Sequence, residues 1–587
     1  MSDPLVSVII PSFNRPLFLR KRSIPSLLRQ TYRNWELFVV GDGPTEDSLR
    51  RTVESFADPR MRYVQIPRPD YSGLSAQRLW HVAGAAARNY GVSLAHGQLI
   101  APLDDDDEFL PDHLKDCVAY LTHRDADLVY GAVLVRNLEL GTEHCDHLPW
   151  ADPAIQELFC RRNIMFHSSV CYSARFAHLR YPLAGDVPAD YGLWLAIRDA
   201  GGRFASLERP QSIYYGDALN GTLRVSVPSL PPLETYQAAV ADVFASRHLS
   251  NGGVWCRRLE QRVAEYIGVP HAIAAASGDA GLRVSMLALR ELCPEANEVI
   301  VPSYTFPATV NAVLAAGLTP VFCDIDARTL CITPATVEPL MSRRTAAVLA
   351  VHAHGNPADM PRLEQLCGAA GVMLVSDAAA AMGACIDGRH IGSFGHMEVF
   401  SLSGTKVLSA GEGGIICCRD DAIADRLREL SRYGIAADYS CSHPGINSKL
   451  SELAASLAVC GLPYLDGWLA RRLDVLRRYR SILQTCPQMR LQELLSENAV
   501  GTWKDLALVL SDRKLAQRII DVTAAYRIHT RPYYRALHQM AAYREFPRGP
   551  LLVTEQLSDC VVCIPLYADI RDDVVDLVGS AVREALI

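Results

Sequence analysis

Short apolar runs of strand length recur along this chain with helical patterns between them. That alternation restricts it to α/β architectures built on parallel sheets with crossover connections. Residues 6–11 (VSVIIP), 36–41 (ELFVVG) and 98–103 (QLIAPL) are the first such runs. After the proline-rich stretch Val225–Leu233 (VSVPSLPPL) the pattern resumes at Glu298–Pro302, Pro320–Asp326, Ala346–His352 and Val372–Asp377. Proline-rich character marks a linker. The chain therefore divides into an N-terminal domain at 1–224, a linker at 225–240 and a C-terminal domain at 241–587. Its length agrees, because 587 residues exceed what one hydrophobic core organises. The arginine-rich stretch Leu469–Arg480 belongs to a smaller terminal subdomain, placed at 466–587 after a large part at 241–465.

Charge and cysteine usage exclude several functions. A net charge of -7 and a pI near 6.2 lack the basic footprint of a nucleic-acid binder. The start, MSDPLVSVIIPSFN, has no basic n-region, so no signal peptide is expected and the protein is expected in the cytoplasm. Val299–Cys323 is uncharged and long enough to span a membrane, but Pro302, Pro307 and Pro320 predict strand, helix and strand instead of an integral membrane segment. The 17 cysteines are scattered, and Cys560–Cys563 offers two ligands where structural zinc needs four. His144–His147 (HCDH) reads as a loop, and the cysteines as reduced core residues.

The run LIAPLDDDDEFLPDHL (Leu99–Leu114) sets four carboxylates directly after a strand. It is either a solvated acidic turn or a site for a hard cation such as Mg2+ or Mn2+. The carboxyl end of a parallel strand is also where α/β sheets bind ligands. VSVIIPSFNRP, ELFVVGDGPTED, AARNYGVSLAHGQLIAPLDDDDEFLP and PADYGLWLAIRDAGG follow in order over the first 200 or so residues. Together they resemble family 2 inverting glycosyltransferases of the GT-A, Rossmann-like fold. The resemblance implies that Pro11, Phe13, Asn14, Asp42, Asp104 and Asp105 bind the nucleotide-sugar. It further implies that Asp104 and Asp106 hold a divalent metal (Mn or Mg) with Asp107 beside them, and that Asp190 is the general base. The family's second acids are missing at Gly41 and Ala189.

SLSGTKVLSAGEGG (401–414) sets one lysine among small residues, as a reacting amine requires. VIVPSYTFPATVNAVLAAGLTPVFCDID, VHAHGNPADM, VSDAAAAMGA, FSLSGTKVLSAGEGG, PGINSKLSELAASL and IPLY occur in order. They resemble the DegT/DnrJ/EryC1/StrS family of pyridoxal-phosphate sugar aminotransferases, with the fold of type I, aspartate-aminotransferase-like enzymes. The resemblance implies that Lys406 carries the cofactor and moves the proton. Asp377 would pair with the pyridine nitrogen, and Phe306 would stack on the ring. Ser401 and the amides of Ser277, Gly278 and Asp279 would hold the phosphate. Asn447 would reach it from a neighbouring subunit, which implies a homodimer. Gly411, Gly413 and Gly414 would let backbone pass close by.

Two departures stand out. Asp279 replaces a threonine hydroxyl and would repel a phosphate unless it turned away to cap the helix. Ala380 removes a side chain near the cofactor. The expected activities are amination of a nucleotide-linked keto-sugar with glutamate as donor, and inverting sugar transfer, in bacterial polysaccharide or glycosylated-metabolite synthesis. The alternative keeps an active glycosyltransferase and makes the C-terminal domain a non-catalytic dimerisation or sugar-binding module. Asp279 and Ala380 favour it; Lys406 with Asp377 oppose it.

Overall fold

The strand Val6–Ser12 (β1) is buried along its whole length, as a strand covered on both faces must be. The structure, a computed structural model, describes residues 3–43, 47–123, 126–138, 142–184, 186–216, 222–436, 438–441 and 443–587. The chain forms two units, one running to Leu223 with Ala525–Arg527 added, the other Arg224–Ala524 with Ile528–Ile587. In the first, β1 is joined by β2 (Trp35–Gly41), β3 (Met61–Gln65), β4 (Leu99–Pro102), β5 (Glu108–Phe109), β6 (Leu128–Asn137), β7 (Glu143–Asp146), β8 (Val170–Ser173) and β9 (Phe204–Gly216). Among the described residues these make one nine-stranded sheet, ordered β3-β2-β1-β4-β8-β6-β9-β5 with β7 paired to β6. Its β3-β2-β1-β4 part is parallel. Helix Ala85–Leu94 packs on it so closely that a Cβ on Gly91 would lie 2.5 Å from Ile9 Cγ2. His144 lies in the exposed strand β7, not in the loop expected.

The second unit is built on a seven-stranded sheet, ordered β10-β18-β17-β14-β13-β11-β12 among the described residues. Its strands are β10 (His271–Ala275), β11 (Glu298–Pro302), β12 (Thr319–Cys323), β13 (Thr345–Val351), β14 (Met373–Asp377), β17 (Met397–Ser401) and β18 (Gly414–Cys418). Strands β15 (Cys385–Ile386), β16 (Arg389–His390) and β20 (Ala499–Val500) form one small sheet; β19 (Met489–Leu491), β21 (Leu506–Leu510) and β22 (Val561–Ile564) form another. The β17-β14-β13-β11-β12 part is parallel. Helix Gly278–Leu292 buries Gly278, Gly281, Leu282, Ser285, Met286 and Leu289, the three-to-four spacing of an amphipathic face.

One sequence expectation holds here and one is corrected. The uncharged run 299–323 is strand, helix (Pro307–Ala315) and strand. The linker is shorter than 225–240, because helix Leu233–Ser246 begins directly after Pro232 and buries Ala239 and Val243. None of the 17 cysteines is in a disulfide. Glu452–Leu483 is the one described helical stretch that length and composition would allow to cross a membrane, and its Leu465, Val475, Leu476, Tyr479 and Leu483 are buried.

Candidate active sites

The chain runs from β1 outward to β2 and β3, then returns to β4 on the other side of β1. A crevice therefore opens beyond the carboxyl ends of β1 and β4. Residues from Ser12 onward enter it from β1, and the acidic run from β4. Burial alternates along that run. Asp105 is fully buried and accepts hydrogen bonds from Ser12 Oγ (2.7 Å) and Arg15 Nε (3.1 Å). Asp107 is also buried and accepts from Ser168 Oγ at 2.6 Å. Asp104 and Asp106 are the half-buried pair. Asp104 accepts from Arg88 Nη2 (2.8 Å) and faces His167 Nδ1 (3.1 Å); Asp106 accepts from Arg15 Nη1 (2.9 Å). Asp105 thus turns inward to anchor Arg15 and leaves the nucleotide-sugar contacts assigned to it from the sequence.

The charges follow this geometry. Burial would raise Asp104, but His167 and Arg88 outweigh it and hold the carboxyl well below the usual range. Burial pushes Asp105 up to about 7 against Arg15, with Asp106 and Asp104 adding like charge. Asp190 lies in the first turn of helix Ala189–Asp199, and its Oδ2 accepts from Asn163 Nδ2 at 2.8 Å. Burial opposes the charge on Arg88, yet Asp104, Tyr181 and Asp190 together sustain it, so this guanidinium responds to both the acidic run and the expected base. Asp42 is buried just past β2, its carboxyl raised by burial against Arg68 and Arg88. Pro11 is buried near the end of β1 and Asn14 turns the chain with φ 48°. The exposed Phe13 ring carries Arg68 over its face at 4.1 Å.

In the second unit, Asp377 ends β14 and is buried. Its Oδ2 accepts from Thr309 Oγ1 (2.7 Å) and its Oδ1 from the Ala379 amide (3.1 Å). Lys406 closes a turn onto Ser403 O at 2.9 Å. Burial first, and Lys504 second, push its amine down to about 8, against the pull of Asp505, Asp377 and Glu412. Phe306 stands at the start of helix Pro307–Ala315 with its ring 58% exposed, free to stack. Asn447 is exposed.

Three chain segments converge beside them. Gly414, the first residue of β18, pairs with both Ala275 of β10 and Ser401 of β17. A Cβ on Gly414 would lie 2.4 Å from Ser277 O, and one on Gly278 would lie 2.8 Å from Ser401 Cβ. These two glycines are required by close approach. Ser277 caps the helix by accepting from the Ala280 amide at 3.0 Å, and its carbonyl takes the Gly281 amide. The first two helical amides, of Gly278 and Asp279, have no partner within the helix. Asp279 neither caps the helix nor stands alone: its Oδ2 accepts from Arg283 Nε, one turn on, at 2.8 Å. The Asp279 carboxylate is thus engaged along the helix.

Residues 233–583, more than half of the chain, match the DegT/DnrJ/EryC1/StrS aminotransferase family. The chain belongs to that family. Residues 7–181 match glycosyl transferase family 2, so the N-terminal unit carries a glycosyltransferase domain. Among solved structures, the aminotransferase unit is similar to DesI in the presence of its TDP-sugar product, at 32% identity over 63% of this chain and 94% of that one (TM-score 0.59). It is similar to the aminotransferase TlmJ from Streptoalloteichus hindustanus at 31% identity, over 62% and 99% of the two chains (TM-score 0.59). It is also similar to S. venezuelae DesV in complex with a ketimine intermediate, at 33% identity over 60% and 94% (TM-score 0.56).

Pyridoxal phosphate, the cofactor of this aminotransferase family, fits the residues present. The cup that a Cβ on Gly278 would fill, the first helical amides and the half-buried Lys406 amine are what a phosphate and an aldehyde need. A divalent ion at the glycosyltransferase site is a different case. No group of three or more His, Cys, Asp or Glu side chains is arranged for a metal among the described residues. Asp104 and Asp106 alone suit an ion that takes its other ligands from a diphosphate and water, as Mg2+ does. Arg88 and Arg15 stand where that cation's charge would act.

Sequence reasoning missed Arg15, Arg88 and His167, although four adjacent carboxylates demand matching cations and both arginines lie inside the motifs. It also missed Thr309, Lys504 and Asp505. A Lys-Asp pair leading directly into the apolar strand LALVL was the available signal.

Proposed function

We propose that the C-terminal unit transfers an amino group from glutamate to a nucleotide-linked keto-sugar, as a homodimer in the cytoplasm. The N-terminal unit would transfer a nucleotide-activated sugar, with inversion, to an acceptor in bacterial polysaccharide or glycosylated-metabolite synthesis. The observation that carries this reading is the convergence, at the carboxyl ends of the second sheet's strands, of a half-buried Lys406, the buried Asp377 and the Gly278–Ser401 cup.

Bound there, pyridoxal phosphate supplies an electron sink for the substrate carbon that loses its proton. Lys406 would hold the cofactor and would then take and return that proton at Nζ. Asp377, its carboxylate fixed by Thr309, would keep a proton on the pyridine nitrogen. Ser401 and the helical amides would bind the phosphate, Phe306 would cover the ring, and Asn447 would reach the phosphate from a neighbouring subunit. In the glycosyltransferase unit, Asp190, oriented by Asn163, takes the acceptor hydroxyl's proton. Asp104 and Asp106 would hold a Mn2+ or Mg2+, which would supply positive charge to the leaving diphosphate, and Pro11, Phe13, Asn14 and Asp42 would line the nucleotide. Arg283 neutralises Asp279, which leaves Ala380 as the sole support for a non-catalytic module.

Borohydride reduction of the protein loaded with pyridoxal phosphate should fix pyridoxyl on Lys406. Lys406→Ala should abolish aminotransfer from glutamate and leave sugar transfer intact. Pyridoxyl on another lysine with Lys406 unmodified would refute the assignment.

A further inference from the structure

Two cations share one tyrosine ring beside the cofactor residues. The Lys504 ammonium stands 5.9 Å and the Arg531 guanidinium 5.6 Å from the Tyr533 ring centroid, and Arg531 Nη1 donates to the Tyr533 hydroxyl. Neighbouring strands bring the two together. Lys504 directly precedes β21, whose Ala507 pairs with Cys563 of β22, and Cys563 exchanges both backbone hydrogen bonds with Arg531 (2.7 and 3.0 Å).

Hydrogen bonds tie this group to Asp377 from both sides. The Tyr304 hydroxyl donates to Tyr533 O at 2.7 Å; next in the chain, Thr305 Oγ1 meets Thr309 Oγ1 at 2.9 Å, and Thr309 holds Asp377. On the Lys504 side, Thr502 Oγ1 donates to Ala380 O at 2.7 Å, in the turn that follows Asp377. Buried Arg472 fixes that segment by donating to the carbonyls of Thr502 (3.2 Å), Trp503 (2.7 Å) and Lys504 (2.7 Å).

Both cations have donors to spare. Lys504 is 7% exposed, and Asp505 Oδ1, at 2.7 Å, takes one of the three donors an ammonium carries. Arg531 pairs with no carboxylate among the described residues. Donors withdrawn from water are costly to leave unmatched, so the pair is suited to an acceptor that arrives from outside. Lys504 and Arg531 set against Asp505 leave one net positive charge, which matches a single carboxylate better than the multiply charged diphosphate of a nucleotide-sugar. The reaction described above gives the carboxylates of its amino donor no partner.

We propose that Lys504 and Arg531 form an anion subsite that takes one carboxylate of the amino donor. The proposal rests on the aminotransferase reading of Lys406. Arg531 presents its fork of N–H donors to the two oxygens, and Lys504 adds a point charge held in place by Asp505. The subsite acts in the half of the reaction that consumes the amino acid.

The test is a titration of glutarate, an unreactive dicarboxylate, into the full-length protein loaded with pyridoxal phosphate. Chelator is present and the cofactor's absorbance is followed. Glutarate should shift the absorbance and saturate. Arg531→Met, which leaves the Lys504–Asp505 pair intact, should raise the glutarate Kd at least about tenfold. Arg531→Lys should recover part of that loss, since it restores the charge without the fork. Lys504→Met should weaken glutarate by a similar factor. Should it fail to fold around an orphaned Asp505, Lys504→Met with Asp505→Asn should show the same loss. Inorganic pyrophosphate, titrated in parallel, should change by less than about twofold in every variant. An unchanged glutarate Kd in folded Arg531→Met overturns the proposal, and so does a wild-type protein that gives no glutarate response. Weakened pyrophosphate with unchanged glutarate would assign the cations to a diphosphate and overturn it too. Borohydride labelling of Lys406 separately decides the aminotransferase reading.

Discussion

Asp279 shows how a single side chain is made compatible with an anion site. It sits in the first turn of helix Gly278–Leu292, where the dipole favours negative charge but a bound phosphate would oppose it. Arg283, one turn later, takes the carboxylate along the helix. The i,i+4 spacing of acid and arginine was readable in the sequence, yet the pairing could not be chosen over a cap without coordinates. Both side chains are about 40% exposed, so the pair is a modest one. Arg283→Ala should release the carboxylate and weaken pyridoxal phosphate binding about fivefold, corresponding to ~1 kcal/mol. Adding Asp279→Thr should restore the affinity, whereas Asp279→Thr alone should change it by less than about twofold, within the range of an exposed pair. Cofactor titrations of the three apo proteins, followed by absorbance, decide this. Normal binding by Arg283→Ala would mean that the freed carboxylate never faces the phosphate.

At the scale of the element, the loop after β4 divides its four carboxylates by alternation. The strand stops at Pro102 and a turn closed by the Asp107 amide onto Asp104 O (3.1 Å) follows, in which Asp105 and Asp107 are buried while Asp104 and Asp106 are half-buried. The sequence placed the loop correctly at the end of a parallel strand. It could not separate the four acids, because the inward pair depends on Ser12, Arg15 and Ser168, which come from other parts of the chain. The same long-range pairing hid the placement of Lys504 and Asp505, which follow β20, since β20 joins β15 across more than a hundred residues. Asp105→Asn should therefore lower the melting temperature, because both carboxyl oxygens face donors of Ser12 and Arg15 and an amide NH2 would leave one of them without an acceptor, at a cost of about 1–3 kcal/mol. Asp106→Asn should leave the melting temperature nearly unchanged but remove metal-stimulated sugar transfer. Thermal melts and Mn2+-dependent transfer assays separate the two outcomes. A stable, inactive Asp105→Asn would return Asp105 to the nucleotide-sugar site.

Over the whole molecule, the break between two α/β units was visible because prolines interrupt the alternation of apolar runs at 225–233. The start of helix Leu233–Ser246 was not visible there, since that helix is fixed by burial of Ala239 and Val243 in the second unit. Two units also mean that acid stress falls on them unequally. In the N-terminal unit His113 is 1% exposed and stacked on Phe109, with ring centroids 4.0 Å apart. Burial, partly offset by Gln211, pushes its imidazole down to about 3. An unfolded histidine titrates near 6.5, so between about pH 6.5 and 3 the unfolded state holds one more proton than the folded state. This group therefore lowers the unit's stability as pH falls, by about 1.4 kcal/mol per pH unit. Buried Asp105 and Asp107, whose carboxyls are raised, act in the opposite sense, but their effect cancels when two variants are compared. His113→Phe keeps an aromatic ring against Phe109 and removes the titrating group. Its stability relative to wild type should rise by about 1.4 kcal/mol for each pH unit below 6.5. Denaturant unfolding at about pH 7 and about pH 5, near the start and within the titration window, measures that difference. A gap that stays constant between the two pH values would show that His113 protonates in the folded chain.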